Sequence, residues 1–192
     1  MQRVSLVEKE QCHPKVKELY QKIESNGVNV INLFKVMGHM PYIGLRFQQM
    51  GNAILRGEEL TSDLRELAIL RVGTLTQSDY ELAQHRPIAL ECGVRQRQID
   101  EVRDWTTSAE FDEREKAVLS YTDEVVQNIK VKDETFTKLK DFFNEHVIVE
   151  LTTVIGFYCM VSRILVALQI EMEEGSSGLA GRASRKKDSH SL

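Results

Sequence analysis

The chain has three cysteines in 192 residues, Cys12, Cys92 and Cys159, and no two of them lie close in sequence. An odd number without CxxC spacing argues against a disulfide framework. The five histidines, His13, His39, His85, His146 and His190, form no short-spaced ligand cluster. The adjacent side chains of Cys12 and His13 do not readily converge on one ion, so no metal is expected. Basic charge is not in excess: 25 Lys and Arg stand against 29 Asp and Glu, for a net charge of -4. Duplex phosphates need a basic surface, so nucleic acid is not an expected partner. No run of 18 or more apolar residues occurs, and the longest charge-free apolar stretch, residues 151–162, is too short to span a bilayer. The opening MQRVSLVEKEQ carries charges where a signal peptide needs an apolar run. A cytoplasmic protein with no membrane partner is the expectation. Alternating apolar runs bounded by turn residues are also missing, which leaves no strand signal, and no internal repeat is evident.

What is present is helix. Residues 14–25 begin with Pro14 in the first turn and place Val16, Leu19, Tyr20 and Ile23 on one face. A short helix over 29–39 and a longer one from Pro41 to Arg56 follow, with Gly57 as the stop. Thr61 or Ser62 caps the next helix, and Ser78 caps the one after it, which ends at Gly93. Residues 95–105, 112–129 and 133–144 read as further helices, the second with Asp112 and Glu115 as a capping box. The last, over about 147–173, is apolar on most sides, which suits the middle of a bundle or a subunit interface. The expected fold is therefore all-α, a compact bundle of about seven helices over residues 1–174. Residues 175–192 (GSSGLAGRASRKKDSHSL, with glutamate at 174 closing the domain) change character to Gly, Ser and basic residues and read as a flexible tail.

The segment ELAILRVGTLTQSDYELAQH, residues 66–85, holds the candidate chemistry. Glu66 sits in a helix that is apolar nearly all round, and a buried carboxylate needs a partner or a proton. Arg71 and Arg163, also in apolar helices, are the obvious partners. Glu81 and His85 are four apart on the following helix and so share a face. A carboxylate beside an imidazole is a proton-transfer pair near neutral pH. Each group also has a structural reading: Ser78 and Glu81 fit a capping box, His85 fits a half-buried histidine satisfied by Glu81, and Glu66 fits an ion pair. Cys92 shares the face of His85 but lies at a helix C-terminus, where the dipole disfavours a thiolate. Cys159 reads as a small core residue, and Tyr80 and Tyr158 as aromatic core positions whose hydroxyls are available to a pocket.

The same segment resembles the carboxymuconolactone decarboxylase and alkylhydroperoxidase D superfamily. Its peroxidase branch has the pattern Glu, eleven residues, Cys, two residues, Cys, three residues, His. Here the pattern falls on Glu66, Ser78, Glu81 and His85, so both cysteine positions hold other residues. NLFKVMGHMP and GNAILRGEEL resemble the helices before the motif, and FDEREKAVLSYTDEVV and VELTTVIGFYCMVSRILVALQIEME those after it.

The resemblance implies an alkylhydroperoxidase D-like fold, a homo-oligomer (dimer, trimer or hexamer) and a cofactor-free lyase acting on a small carboxylated lactone or related organic acid. His85 would donate or shuttle a proton, Glu81 would orient it, and Glu66 would be a second relay member. Arg71 or Arg163 would hold a substrate carboxylate. Thiol peroxidase chemistry, the alternative the family name suggests, needs an attacking thiolate and a resolving thiol, which Ser78 and Glu81 cannot supply. A non-enzymatic oligomeric module that keeps the fold is the remaining alternative.

Overall fold

The computed structural model describes residues 2–173, and its elements are all helical, with no strand among the described residues. In chain order these are α1 (Pro14–Ser25), α2 (Asn32–Met37), α3 (Pro41–Arg56), α4 (Ser62–Thr76), α5 (Asp79–Glu91), α6 (Gln96–Glu101), a 3-10 turn (Val102–Asp104), α7 (Glu113–Asn128), α8 (Asp133–Lys140) and α9 (Glu145–Leu168). The nine α-helices among the described residues match one for one the nine helical segments read from the sequence, so the count of about seven was low, and several differ in length from that reading. The second helix is confined to Asn32–Met37. The helix expected over 95–105 gives way to the 3-10 turn after Glu101, and α8 stops at Lys140. α9 ends at Leu168, where Gln169 takes a positive φ of 50°. The tail from residue 175 lies outside the described residues.

The chain divides into two compact units: Met1–Arg56 together with the segment from Ile164, and Gly57–Arg163. In the first, α1 and α2 each pack on α3. α1 buries Val16, Tyr20 and Ile23 of the face its sequence spacing predicts, with Leu19 half-buried at its margin. The Tyr20 hydroxyl donates toward the carbonyls of Val7 and Phe34, at 3.0 and 3.3 Å, and so ties the N-terminal segment and α2 to the same core. His13 caps α1 by accepting the Lys15 N–H through its ring.

In the second unit α4 is the central helix, packed on both α5 and α7. Every residue from Leu64 to Gly73 is buried, which explains why its sequence shows no polar face. The α4–α5 connection is a tight reversal. Gln77 adopts a left-handed conformation, φ 54° and ψ 41°, and the Ser78 N–H bonds back to the Gly73 carbonyl at 2.9 Å. Gly73 lets α5 lie close: a side chain there would meet Leu82 at 3.0 Å and Glu81 Oε1 at 3.5 Å. At the other end of α4, the Glu150 carboxylate accepts the backbone N–H groups of Glu58, Glu59 and Leu60 and fixes the approach to the helix.

α9, at 24 residues, is long and apolar enough by length and composition to cross a membrane, which the count of its charge-free stretch alone did not bring out. Its Leu151, Val154, Ile155 and Tyr158 are nevertheless buried in the protein core. That burial is the placement the sequence suggested for a central helix.

Candidate active site

Glu66 on α4 and His85 on α5 meet across the reversal. His85 Nδ1 and Glu66 Oε2 share a hydrogen bond at 2.8 Å, and Glu66 is fully buried. The partner of the other Glu66 oxygen is Arg65, whose Nε donates to Oε1 at 3.3 Å. Arg65 is itself 4% exposed. The ion pair expected for Glu66 thus forms, but with its sequence neighbour and not with Arg71 or Arg163. Residues one apart on a helix do not face each other. Here the arginine bends sideways, with Nη2 reaching 3.9 Å from Cys92 Sγ.

Glu81 departs from both sequence readings. It is not the partner of His85, and it makes no capping box with Ser78, whose side chain forms no cap bond. Its Oε2 instead accepts from the Ser162 hydroxyl of α9 at 2.6 Å. Glu81 Oε1 and Ser78 Oγ are both buried and have no hydrogen-bond partner among the described residues. Burial raises the Glu81 carboxyl to about 8, against a smaller opposing pull from the Ser162 bond. At neutral pH this side chain is largely a neutral acid.

Tyr158 completes the cluster from α9. Its ring stands edge-on to His85 with centroids 4.9 Å apart. Burial raises its hydroxyl well above the usual phenol value, and the nearby Glu66 and Glu81 carboxylates raise it further. Tyr158 and Ser162 are four apart on α9, so one face of that helix supplies both contacts. Tyr80 is buried on α5.

Arg71 belongs to a different site. It makes four N–H bonds: two to Asp123, one to the Val102 carbonyl and one to the Arg103 carbonyl. Trp105 Nε1 donates to the same Asp123 at 3.1 Å. Arg163 is exposed, and its Nη1 donates to the Cys159 carbonyl of its own helix at 2.8 Å. Cys92 and Cys159 are half-buried thiols, and burial raises both above the ordinary cysteine value. For Cys92, the negative charge of Glu66 adds to the rise. No group of three or more His, Cys, Asp or Glu side chains is placed to hold a metal ion among the described residues.

Sequence reasoning missed Arg65 and Ser162. The signal for Arg65 was a second charge beside Glu66 inside an apolar helix. Ser162 gave none, since a lone serine in an apolar helix has many uses.

The described residues form an all-α fold in which a Glu–His pair meets across a tight helix reversal. Residues 41–124 match the model of the carboxymuconolactone decarboxylase family. No curated protein matches the chain. An alkylhydroperoxidase core, an uncharacterized peroxidase-related protein from Ralstonia eutropha JMP134, superposes with a TM-score of 0.80 at 17% identity, covering 90% of this chain and 93% of that one. An uncharacterized peroxidase-related protein from Silicibacter sp. TM1040 gives 0.78 at 16% identity, covering 95% of each chain. The debrominase Bmp8 in complex with 2,3,4-tribromopyrrole gives 0.76 at 18% identity, covering 97% of this chain and 99% of that one. The fold is therefore alkylhydroperoxidase D-like, and the carboxymuconolactone decarboxylase family match covers residues 41–124 of it.

Proposed function

We propose that the chain is a cofactor-free lyase resembling carboxymuconolactone decarboxylase, acting on a small carboxylated lactone or related organic acid by proton transfer. The observation that carries this reading is the 2.8 Å hydrogen bond between the buried side chains of His85, through Nδ1, and Glu66, through Oε2. It fixes the imidazole in one orientation and offers a counter-charge to the imidazolium. Loss of CO₂ breaks a carbon–carbon bond and leaves the electron pair on the substrate, delocalised into its carbonyl or lactone. The imidazolium of His85 then delivers a proton from Nε2 to that carbon and recovers it from solvent. Glu81, held neutral by burial, donates a hydrogen bond to a substrate oxygen as charge develops there. Orientation of His85 thus passes from Glu81, where the sequence put it, to Glu66. Of the two arginines expected to hold a substrate carboxylate, Arg71 is engaged with Asp123, and Arg163 is the one that remains.

The test is CO₂ release from a panel of carboxylated lactones and related acids, with His85→Gln as control. The substitution should lower kcat by about 10²–10⁴. Turnover unaffected by His85→Gln, or none across the panel, would favour the non-enzymatic module.

We also propose that copies of the chain associate through the outer face of α9. Val149, Thr153, Gly156 and Met160 are exposed there at spacings of four, three and four residues. Gly156 has open space within 4 Å of where a side chain would stand, so a second helix has room to approach its backbone closely.

A further inference from the structure

We propose that Arg65 is a positioning residue that selects the tautomer of His85, and that it does so through the charge on Glu66. The inference rests on the acid–base role of His85 proposed above.

A nitrogen and an oxygen 2.8 Å apart, as His85 Nδ1 and Glu66 Oε2 are, admit two proton arrangements. In one, a Glu66 carboxylate accepts from Nδ1–H, and a neutral ring keeps Nε2 bare as a base. In the other, a Glu66 carboxylic acid donates to a bare Nδ1, and Nε2 carries the hydrogen. The chemistry available at Nε2 is opposite in the two cases. The geometry at Nδ1 does not separate them, but the charge beside the second Glu66 oxygen favours the first. Oε1 accepts from Arg65 Nε at 3.3 Å. A guanidinium is cationic at every accessible pH, and a buried cation beside Oε1 stabilises the anionic carboxylate over the neutral acid, whose carbonyl oxygen would accept the same bond without a charge to pair.

Glu66 is 0% and Arg65 4% exposed, so each lacks solvent as an alternative counter-charge. The surroundings hold the guanidinium in place. Its Nη2 lies 3.9 Å from Cys92 Sγ. Its Nη1 runs beside Gly57, where an added side chain would come within 3.1 Å of it. Glu81, the other carboxyl of the cluster, bonds Ser162 and does not compete for Arg65. Arg65 touches no reacting atom in this arrangement. It acts by holding the carboxylate that holds the ring.

The experiment reads the protonated ring nitrogen of His85 by ¹⁵N NMR of histidine-labelled full-length protein, at a pH where the ring is neutral, in wild type, Arg65→Lys and Arg65→Met. The expected result is an Nδ1–H signal in wild type, its retention in Arg65→Lys, and its loss in favour of Nε2–H in Arg65→Met. An Arg65→Met protein that is folded and keeps the wild-type Nδ1–H signal overturns the proposal. Should Arg65→Met fail to fold, the Arg65→Met, Glu66→Gln double variant decides. Recovery of folding supports the proposal, because the buried charge that requires Arg65 is gone. Continued failure means that Arg65 serves packing alone, and overturns it. The tautomer is read without substrate, so the expected NMR result with no CO₂ release from any substrate would defeat the lyase reading and leave this inference standing.

Discussion

The Ser162 hydroxyl donates to Glu81 Oε2 at 2.6 Å, joining the C-terminal third of α9 to the first turn of α5. This bond takes Glu81 away from its own helix cap, and burial there raises its carboxyl to about 8 from the ordinary 4.5 against the smaller opposing pull of Ser162. Between those two values the folded protein holds a proton that the unfolded chain has released. Stability therefore falls as pH rises through that window, by a total on the order of 5 kcal/mol for this group, and levels off above it. Glu81→Gln removes the titration while keeping an acceptor for Ser162. Urea unfolding at the two ends of the window should show a smaller pH dependence in Glu81→Gln, with the variant the more stable protein at the alkaline end. An equal pH dependence in the two proteins would mean that Glu81 ionises freely in the fold.

Removing Glu66 has a different consequence. Glu66→Ala leaves the Arg65 guanidinium buried without its carboxylate and His85 Nδ1 without its acceptor. Breaking one partner out of a buried ion pair costs about 3–5 kcal/mol. A loss near that size in denaturant unfolding is expected, and a change under about 1 kcal/mol would place water, not Arg65, beside the carboxylate.

The helices were legible because their punctuation is local. Pro14 and Pro41 open helices, and the observed spans Pro14–Ser25 and Pro41–Arg56 match the sequence reading at both ends. The capping box of Asp112 and Glu115 also forms as read. The convergence of Glu66 and His85 followed from the short turn between their helices. What the sequence did not disclose was which charge meets which. Glu66 chose Arg65 over Arg71 because Asp123, 52 residues further on, claims Arg71. Glu81 left Ser78 for Ser162, 81 residues away. Partner choice among buried charges depends on packing between distant segments, and helical periodicity carries no information about it.

Ile129 ends α7 with φ 63° and ψ -40° while 87% exposed. A β-branched residue is strained at positive φ, and at that exposure it gains little packing in return. Ile129→Gly relieves strain of about 1–3 kcal/mol and gives back about 0.5–1 kcal/mol as unfolded-chain entropy. A net gain of about 1 kcal/mol in urea unfolding is expected. A net loss would show that the Ile129 side chain makes a contact worth more than the strain.

Thiol chemistry at the site should be silent. In the peroxidase pattern that residues 66–85 resemble, Ser78 and Glu81 fall on the two cysteine positions. Burial raises Cys92 and Cys159 above the ordinary thiol value and so keeps them protonated at neutral pH. Dithiol-dependent peroxide consumption is expected at the no-enzyme rate, in wild type and in Cys92→Ser alike. Turnover that disappears in Cys92→Ser would make Cys92 a nucleophile despite its raised value.

Association through α9 can be tested without disturbing the site, because the outer and inner faces of that helix separate cleanly. Tyr158 and Ser162 point inward and are 4% and 1% exposed, whereas Val149 and Met160 are 65% and 42% exposed. Apolar side chains left at a helix surface gain about 25 cal/mol for each Å² they bury against a partner. Lysine at both positions would place like charges opposite each other in a two-fold contact, where the same patch meets itself. Light scattering at micromolar concentration should show an oligomer for wild type and a smaller species for the Val149→Lys, Met160→Lys protein, with unchanged helical circular dichroism. A wild-type monomer would refute the contact. An oligomer that survives both lysines would move the interface off this face of α9.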